Sequence, residues 1–128
     1  MNARQSRALF LRSVDIEGAI RRMCGDEAVY AACLRAFLDD PSVRELNQTI
    51  LTASWDDAFT AAHALKGVAG NMGFVPLMHN TGQLIVLIRR GQLSDIPRAL
   101  ELVNSAYRDI VDGIRQYFAY ADENTKGD

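Results

Sequence analysis

An all-α fold, an antiparallel up-and-down four-helix bundle with additional short N-terminal helices, is predicted for this chain by three observations. Apolar residues recur at helical spacing through nearly the whole sequence, candidate caps divide that pattern into segments of helix length, and no stretch shows the strict alternation of a half-buried strand. Its 128 residues, 48% of them hydrophobic, suit one domain around one core and leave no room for a second. The expected divisions are an N-terminal helical extension over 1-13, the bundle over 14-121 and a disordered polar tail over 122-128.

The elements follow in order. Residues 3 to 12 carry Ala8, Leu9 and Leu11 and read as a helix lying across the bundle. Asp15 can cap a short helix to Met23 that Gly25 stops. Asp26 caps the next, whose stripe is Val29, Tyr30, Cys33, Leu34, Phe37 and Leu38, and which ends before Pro41. Ser42-Val43-Arg44-Glu45 has the form of a capping box that starts a helix to about Leu51. Ser54-Trp55-Asp56-Asp57 opens the following helix with two acids where the macrodipole favours them; Trp55 is expected to anchor in the core, and Gly73 closes the helix. After the joint Gly73-Phe74-Val75, Pro76 suits the first turn of a helix to Gly91 that turns Leu77, Leu84, Leu87 and Ile88 inward. Ser94 then caps a long last helix, with Pro97 tolerated in its first turn and a stripe of Ile96, Leu100, Val103, Tyr107, Ile110, Ile114 and Phe118.

The segment from His63 to Gly73, HALKGVAGNMG, departs from an ordinary helix surface. Each interior glycine costs roughly 0.5–1 kcal/mol relative to alanine, so glycines at 67, 70 and 73 point to a close approach beside the histidine. At about 100° per residue, with His63 at zero, Gly67 falls near +40°, Gly70 near −20°, Phe59 near −40° and Lys66 near −60°. Leu65, Met72, Ala58, Ala61, Ala62, Val68 and Ala69 gather on the opposite side as the core stripe. His63 is therefore expected to point at solvent among small residues, with Lys66 one turn along. A surface histidine on a fraying helix end is the plainer reading, but such a stripe normally carries Glu, Lys, Arg or Gln, and here it is cleared.

The run from Ala62 to Gly73 resembles the signature of histidine-containing phosphotransfer (HPt) domains. The resemblance extends upstream to Val14-Asp15-Ile16-Glu17-Gly18-Ala19-Ile20 and Cys24-Gly25-Asp26-Glu27, and downstream to Gly91-Gln92-Leu93-Ser94-Asp95. It implies a phosphoryl carrier: His63 takes a phosphoryl group from the aspartyl phosphate of a receiver domain and passes it to another. Neutral imidazole, with an unperturbed pKa of about 6.5, is nucleophilic without an activating base. Lys66 is the second catalytic candidate, its ammonium offsetting the charge of phosphohistidine. The resemblance also implies that the receiver supplies the carboxylates and the Mg²⁺, so no cofactor and no metal are expected in this chain, and no kinase activity of its own.

Partner docking is expected at Phe59, Gly67, Gly70, Met78, Gly82 and Ile85, with Phe59, Met78 and Ile85 as an apolar rim around the polar centre and Arg89 alongside. The family places a Glu or Gln at the position of Ile85, where it can orient the imidazole. Gln83, two residues earlier, is rotated about 200° away. Ile85 favours the competing class, a non-catalytic helical-bundle interaction module that binds a receiver or kinase; His63 with Lys66 argues against it.

Expected partners are response-regulator receiver domains, a hybrid histidine kinase, or both. A net charge of −2 without a basic, aromatic-interleaved stripe gives no nucleic-acid surface. No apolar run approaches a membrane span and the N-terminus lacks a signal core, so a cytoplasmic protein is expected; Met1 and the polar tail favour a free-standing carrier, and a monomer is expected. Cys24 and Cys33 show no zinc spacing and are expected reduced and partly buried; His79 finds no supporting carboxylates at helical spacing for a shared metal with His63.

Overall fold

Seven α-helices and one 3₁₀ turn run through the residues that the structure, a computed structural model, describes: 1–126 in backbone, with side chains as far as residue 120. Of the tail expected at 122-128, residues 122–126 are described in backbone as the end of the last helix, and 127–128 lie outside the described residues. The helices are α1 (Ala3–Phe10), α2 (Ile16–Arg22), α3 (Glu27–Phe37), α4 (Ser42–Leu51), α5 (Trp55–Met72), α6 (Val75–Arg90) and α7 (Ile96–Lys126), with the 3₁₀ turn Leu93–Asp95 before the last.

The bundle closes in chain order. α5 packs on α4 and α6, α6 on α7, and α7 returns to α4, where Asn47 and Asn104 exchange side-chain hydrogen bonds at 2.9 Å. Leu46, Ala62, Leu65, Leu77, Leu84, Val103 and Ile110 are buried between these helices, as their spacing predicts. At 31 residues α7 is about 46 Å long, against about 27 Å for the 18 residues of α5, so it overhangs the hairpin. α1 and α3 use the overhang: Gln5 Nε2 donates to the Tyr117 carbonyl and the Arg35 guanidinium sits 4.1 Å over the Phe118 ring, while Arg12, beyond the end of α1, pairs with Asp109 at 3.0 Å.

Local chemistry sets most helix starts. Asn2 and Gln5 form a reciprocal capping box on α1, and Asp15 and Asp26 cap α2 and α3 through their carboxylates. Two starts differ from expectation. The Ser42 box does not form; Asp40, two residues upstream, accepts from the Ser42 N–H at 2.8 Å, and Ser42 itself is buried. Ser94 does not cap α7 but lies inside the 3₁₀ turn, since Pro97 has no N–H to give a capping side chain. Val29 is 44% exposed rather than part of the α3 stripe, and Cys24 is exposed, with only Cys33 partly buried. Trp55 packs against the core from a half-buried position.

Candidate functional site

The C-terminal end of α5 is held from four directions, and this holds the helix that carries His63. Gly73 adopts φ +77° and closes α5 in the Schellman manner, with the Phe74 N–H reaching the Ala69 carbonyl at 2.9 Å. The carbonyls left over are met from the N-terminal helices. Arg22 donates from Nη2 to the Gly70 carbonyl at 2.8 Å and from Nε and Nη2 to that of Asn71. Tyr30 donates its hydroxyl to the Met72 carbonyl at 3.1 Å, and the Asp15 N–H reaches the Gly73 carbonyl at 2.7 Å. Burial pushes the Tyr30 phenol far above its usual range, so it remains a neutral donor. A cationic guanidinium at a helix C-terminus also complements the macrodipole.

His63 lies midway along α5 and is exposed, with Lys66 and Gly67 beside it in solvent. Its ring is stacked on that of Phe59, one turn earlier, with centroids 5.8 Å apart and planes 13° from parallel. Among the described residues no side chain makes a hydrogen bond to the imidazole. Gln83, which sequence reasoning turned away from the site, is hydrogen-bonded to His79 at 3.2 Å on the outer face of α6.

The glycines do three different things. Gly67 is open: a Cβ built there meets nothing within 4 Å. Gly70 is covered by Met78, whose sulfur would stand 3.3 Å from such a Cβ. Gly82 seats the stem of Lys66, whose Cε would be 3.6 Å and Nζ 3.8 Å from a Cβ at that position. Of the positions expected to be cleared, Gly67 and Gly70 on α5 and Gly82 on α6, only Gly67 is thus an opening, flanked by a methionine lid and a lysine rest. These contacts also set the antiparallel register: each residue back along α5 is matched by one forward along α6, which brings Ile85 level with His63 and Arg89 level with Phe59.

Ile85 is not on an exposed rim. It is 7% exposed and belongs to the core, because the register that brings it level with His63 turns its side chain into the α5–α6 seam. Phe59 and Met78 are half-buried against the same core, each leaving an edge in solvent. The N-terminal clamp of Asp15, Arg22 and Tyr30 was missed by sequence reasoning as part of the site; the signal was the glycine closing α5, whose carbonyls needed donors from elsewhere.

Lys66 depends on Gly82 for its position, and this can be tested. Gly82→Ala makes only an ordinary contact and is expected to raise stability by about 0.5–1 kcal/mol, as alanine does for glycine in a helix. Gly82→Val carries a methyl into the lysine stem, and is expected to slow any chemistry that needs the ammonium by about tenfold. Thermal melts and rates on the two variants separate the effects.

A groove of about 430 Å³ lies away from this face, between α2, α3 and α5, lined by Met23, Cys33, Phe37, Val68 and Met72 with Arg22 and Asp40. Among the described residues no set of three His, Cys, Asp or Glu side chains is grouped to hold a metal ion, and no helix is long and apolar enough to cross a membrane. A protein-family model described as Hpt domain matches residues 33–117, well over half of the chain, from within α3 to within α7. The comparisons with curated proteins and with solved structures return no significant match.

Proposed function

The chain belongs to the Hpt domain family, the histidine phosphotransfer modules of two-component signalling, and from that premise we propose that His63 is the residue that carries the phosphoryl group, taken from the aspartyl phosphate of one receiver domain and given to the aspartate of another. The single observation that supports this reading best is an exposed imidazole on a rigidly terminated helix, next to an open glycine and an ammonium.

The chemistry asks little of this chain. The lone pair of an unprotonated imidazole nitrogen attacks phosphorus in line with the aspartyl P–O bond; the P–N bond forms as that bond breaks, and the electron pair returns to the receiver's carboxylate. The reverse sequence delivers the group onward. Positioning and charge neutralisation dominate such transfers. Lys66, resting on Gly82, faces the developing negative charge, and Gly67 leaves the space through which the receiver's loops reach His63. We propose that the divalent cation of the reaction arrives with the receiver, as the phosphotransfer chemistry of the family implies. A hybrid kinase carrying a receiver would serve as donor, and we place the module in the cytoplasm as a monomer.

The test is transfer from a receiver domain carrying labelled aspartyl phosphate and Mg²⁺. Label that moves to this chain and is acid-labile and alkali-stable supports the reading. No label from any of several receivers, with helical content intact, would support the silent interaction module instead.

Gly67→Gln probes the approach path. The free fold has room for the side chain, so stability is expected unchanged or raised by about 0.5–1 kcal/mol. The half-saturating receiver concentration in the transfer assay is expected to rise at least tenfold, about 1.4 kcal/mol of binding. Normal half-saturation with this variant would remove the close-approach argument.

A further inference from the structure

The imidazole of His63 makes no hydrogen bond to any described side chain, and the residue level with it across the hairpin, Ile85, is apolar and buried. Such a side chain should turn freely about its two torsions, presenting a different edge to an incoming phosphorus each time. One contact opposes this: the Phe59 ring, 13° from parallel to it at a centroid distance of 5.8 Å, in the offset-stacked range. Phe59 is itself packed against the core while His63 is exposed, so the mobile ring leans on the fixed one. We propose that Phe59 is the positioning residue of the phosphotransfer reaction, a flat apolar platform that sets the plane of the His63 imidazole in place of a hydrogen-bond acceptor.

The proposal rests on the phosphotransfer reading and deepens it. A stack constrains a ring differently from a hydrogen bond. It leaves both nitrogens available to water and the partner while restricting rotation about the Cβ–Cγ bond, because any turn of the imidazole opens the angle between the planes. A ring held in this plane meets phosphorus in one orientation, and near-attack geometry of this kind contributes to rate without adding affinity. The i, i+4 spacing on one helix makes the platform part of the same rigid element as the nucleophile, so the relation survives any movement of α6.

Phe59→Leu keeps apolar bulk and helix propensity but removes the flat face; Phe59→Tyr and Phe59→Trp keep it. Single-turnover transfer would be measured against receiver concentration, with ¹H–¹³C spectra of the His63 ring. Phe59→Leu is expected to lower the maximal rate by about three- to tenfold at an unchanged half-saturating concentration, and to move the His63 ring protons out of the Phe59 ring current. Tyrosine or tryptophan is expected to restore both. A leucine variant with wild-type maximal rate overturns the proposal, as does one whose defect lies entirely in half-saturation, which would make Phe59 a docking contact instead. If the wild-type chain accepts no phosphoryl group at all, the phosphotransfer reading fails, and the outcome is distinguishable because the spectra still report whether the rings are stacked.

Discussion

His63→Ala is expected to abolish phosphoryl uptake from every receiver that labels the wild-type chain, a loss of at least a thousandfold, with the fold unchanged. The nucleophilic lone pair is the part of the reaction that this chain cannot share with its partner, and among the described residues no other imidazole is placed beside His63 to substitute. The other histidine, His79, points outward from α6 and is hydrogen-bonded to Gln83 at 3.2 Å. His79→Ala is therefore expected to label normally, and the pair of variants assigns the phosphohistidine without mapping. Stability should hardly register the first substitution. The His63 side chain is exposed; losing its stack on Phe59 costs about 0.5–1 kcal/mol, and alanine returns several tenths as the better helix former. Calorimetry should place the two melting temperatures within about 4 °C. A mutant that is unlabelled but also unfolded would say nothing about chemistry, which makes that comparison the necessary companion of the label.

What the sequence made legible divides along a physical line. Features that depend on one helix and its own caps could be read directly: the exposed His63, the buried stripe of Leu65, Ala69 and Met72, the left-handed closure at Gly73, and the carboxylate caps of Asp15 and Asp26. Each follows from spacing within a few residues. Features that depend on two helices meeting could not. Ile85 looked like a rim residue from its place beside the histidine, yet the α5–α6 register buries it. Gly70 and Gly82 looked cleared for a partner, yet Met78 and Lys66 occupy the space beside them, because glycines in one seam serve neighbours in the same seam as readily as visitors. The Arg22 and Tyr30 donors reach α5 across 48 and 42 residues of chain, and no local pattern encodes a contact of that separation. Where two local solutions compete, spacing also misleads: Asp40 takes the Ser42 N–H that a capping box would have used elsewhere.

Gly73→Ala is expected to be the most destabilising of the glycine substitutions, and Gly91→Ala, its counterpart at the end of α6, shows why. Both glycines close a helix with positive φ, +77° and +65°, so alanine at either carries the left-handed penalty of about 1–2 kcal/mol. Nothing lies within 4 Å of a Cβ built on Gly91, and the cost there should stop at that term. At Gly73 the added carbon collides with the backbone carbonyl of Asp15, which is itself held by the hydrogen bond from the Asp15 N–H to the Gly73 carbonyl at 2.7 Å. A backbone atom in a two-residue bridge cannot turn aside as a side chain would. Relief means separating the Val14–Phe74 bridge, and with it the segment that starts α2 and presents Arg22 to the end of α5. The total is expected near 3 kcal/mol, a fall of about 10 °C in melting temperature, against about a third of that for Gly91→Ala. Because the damage is to the anchor of α5 and not to His63, folded Gly73→Ala protein at low temperature should still accept a phosphoryl group, though more slowly. Equal melting temperatures for the two variants would mean that the Asp15 bridge yields freely, and that the clamp does not hold the active helix.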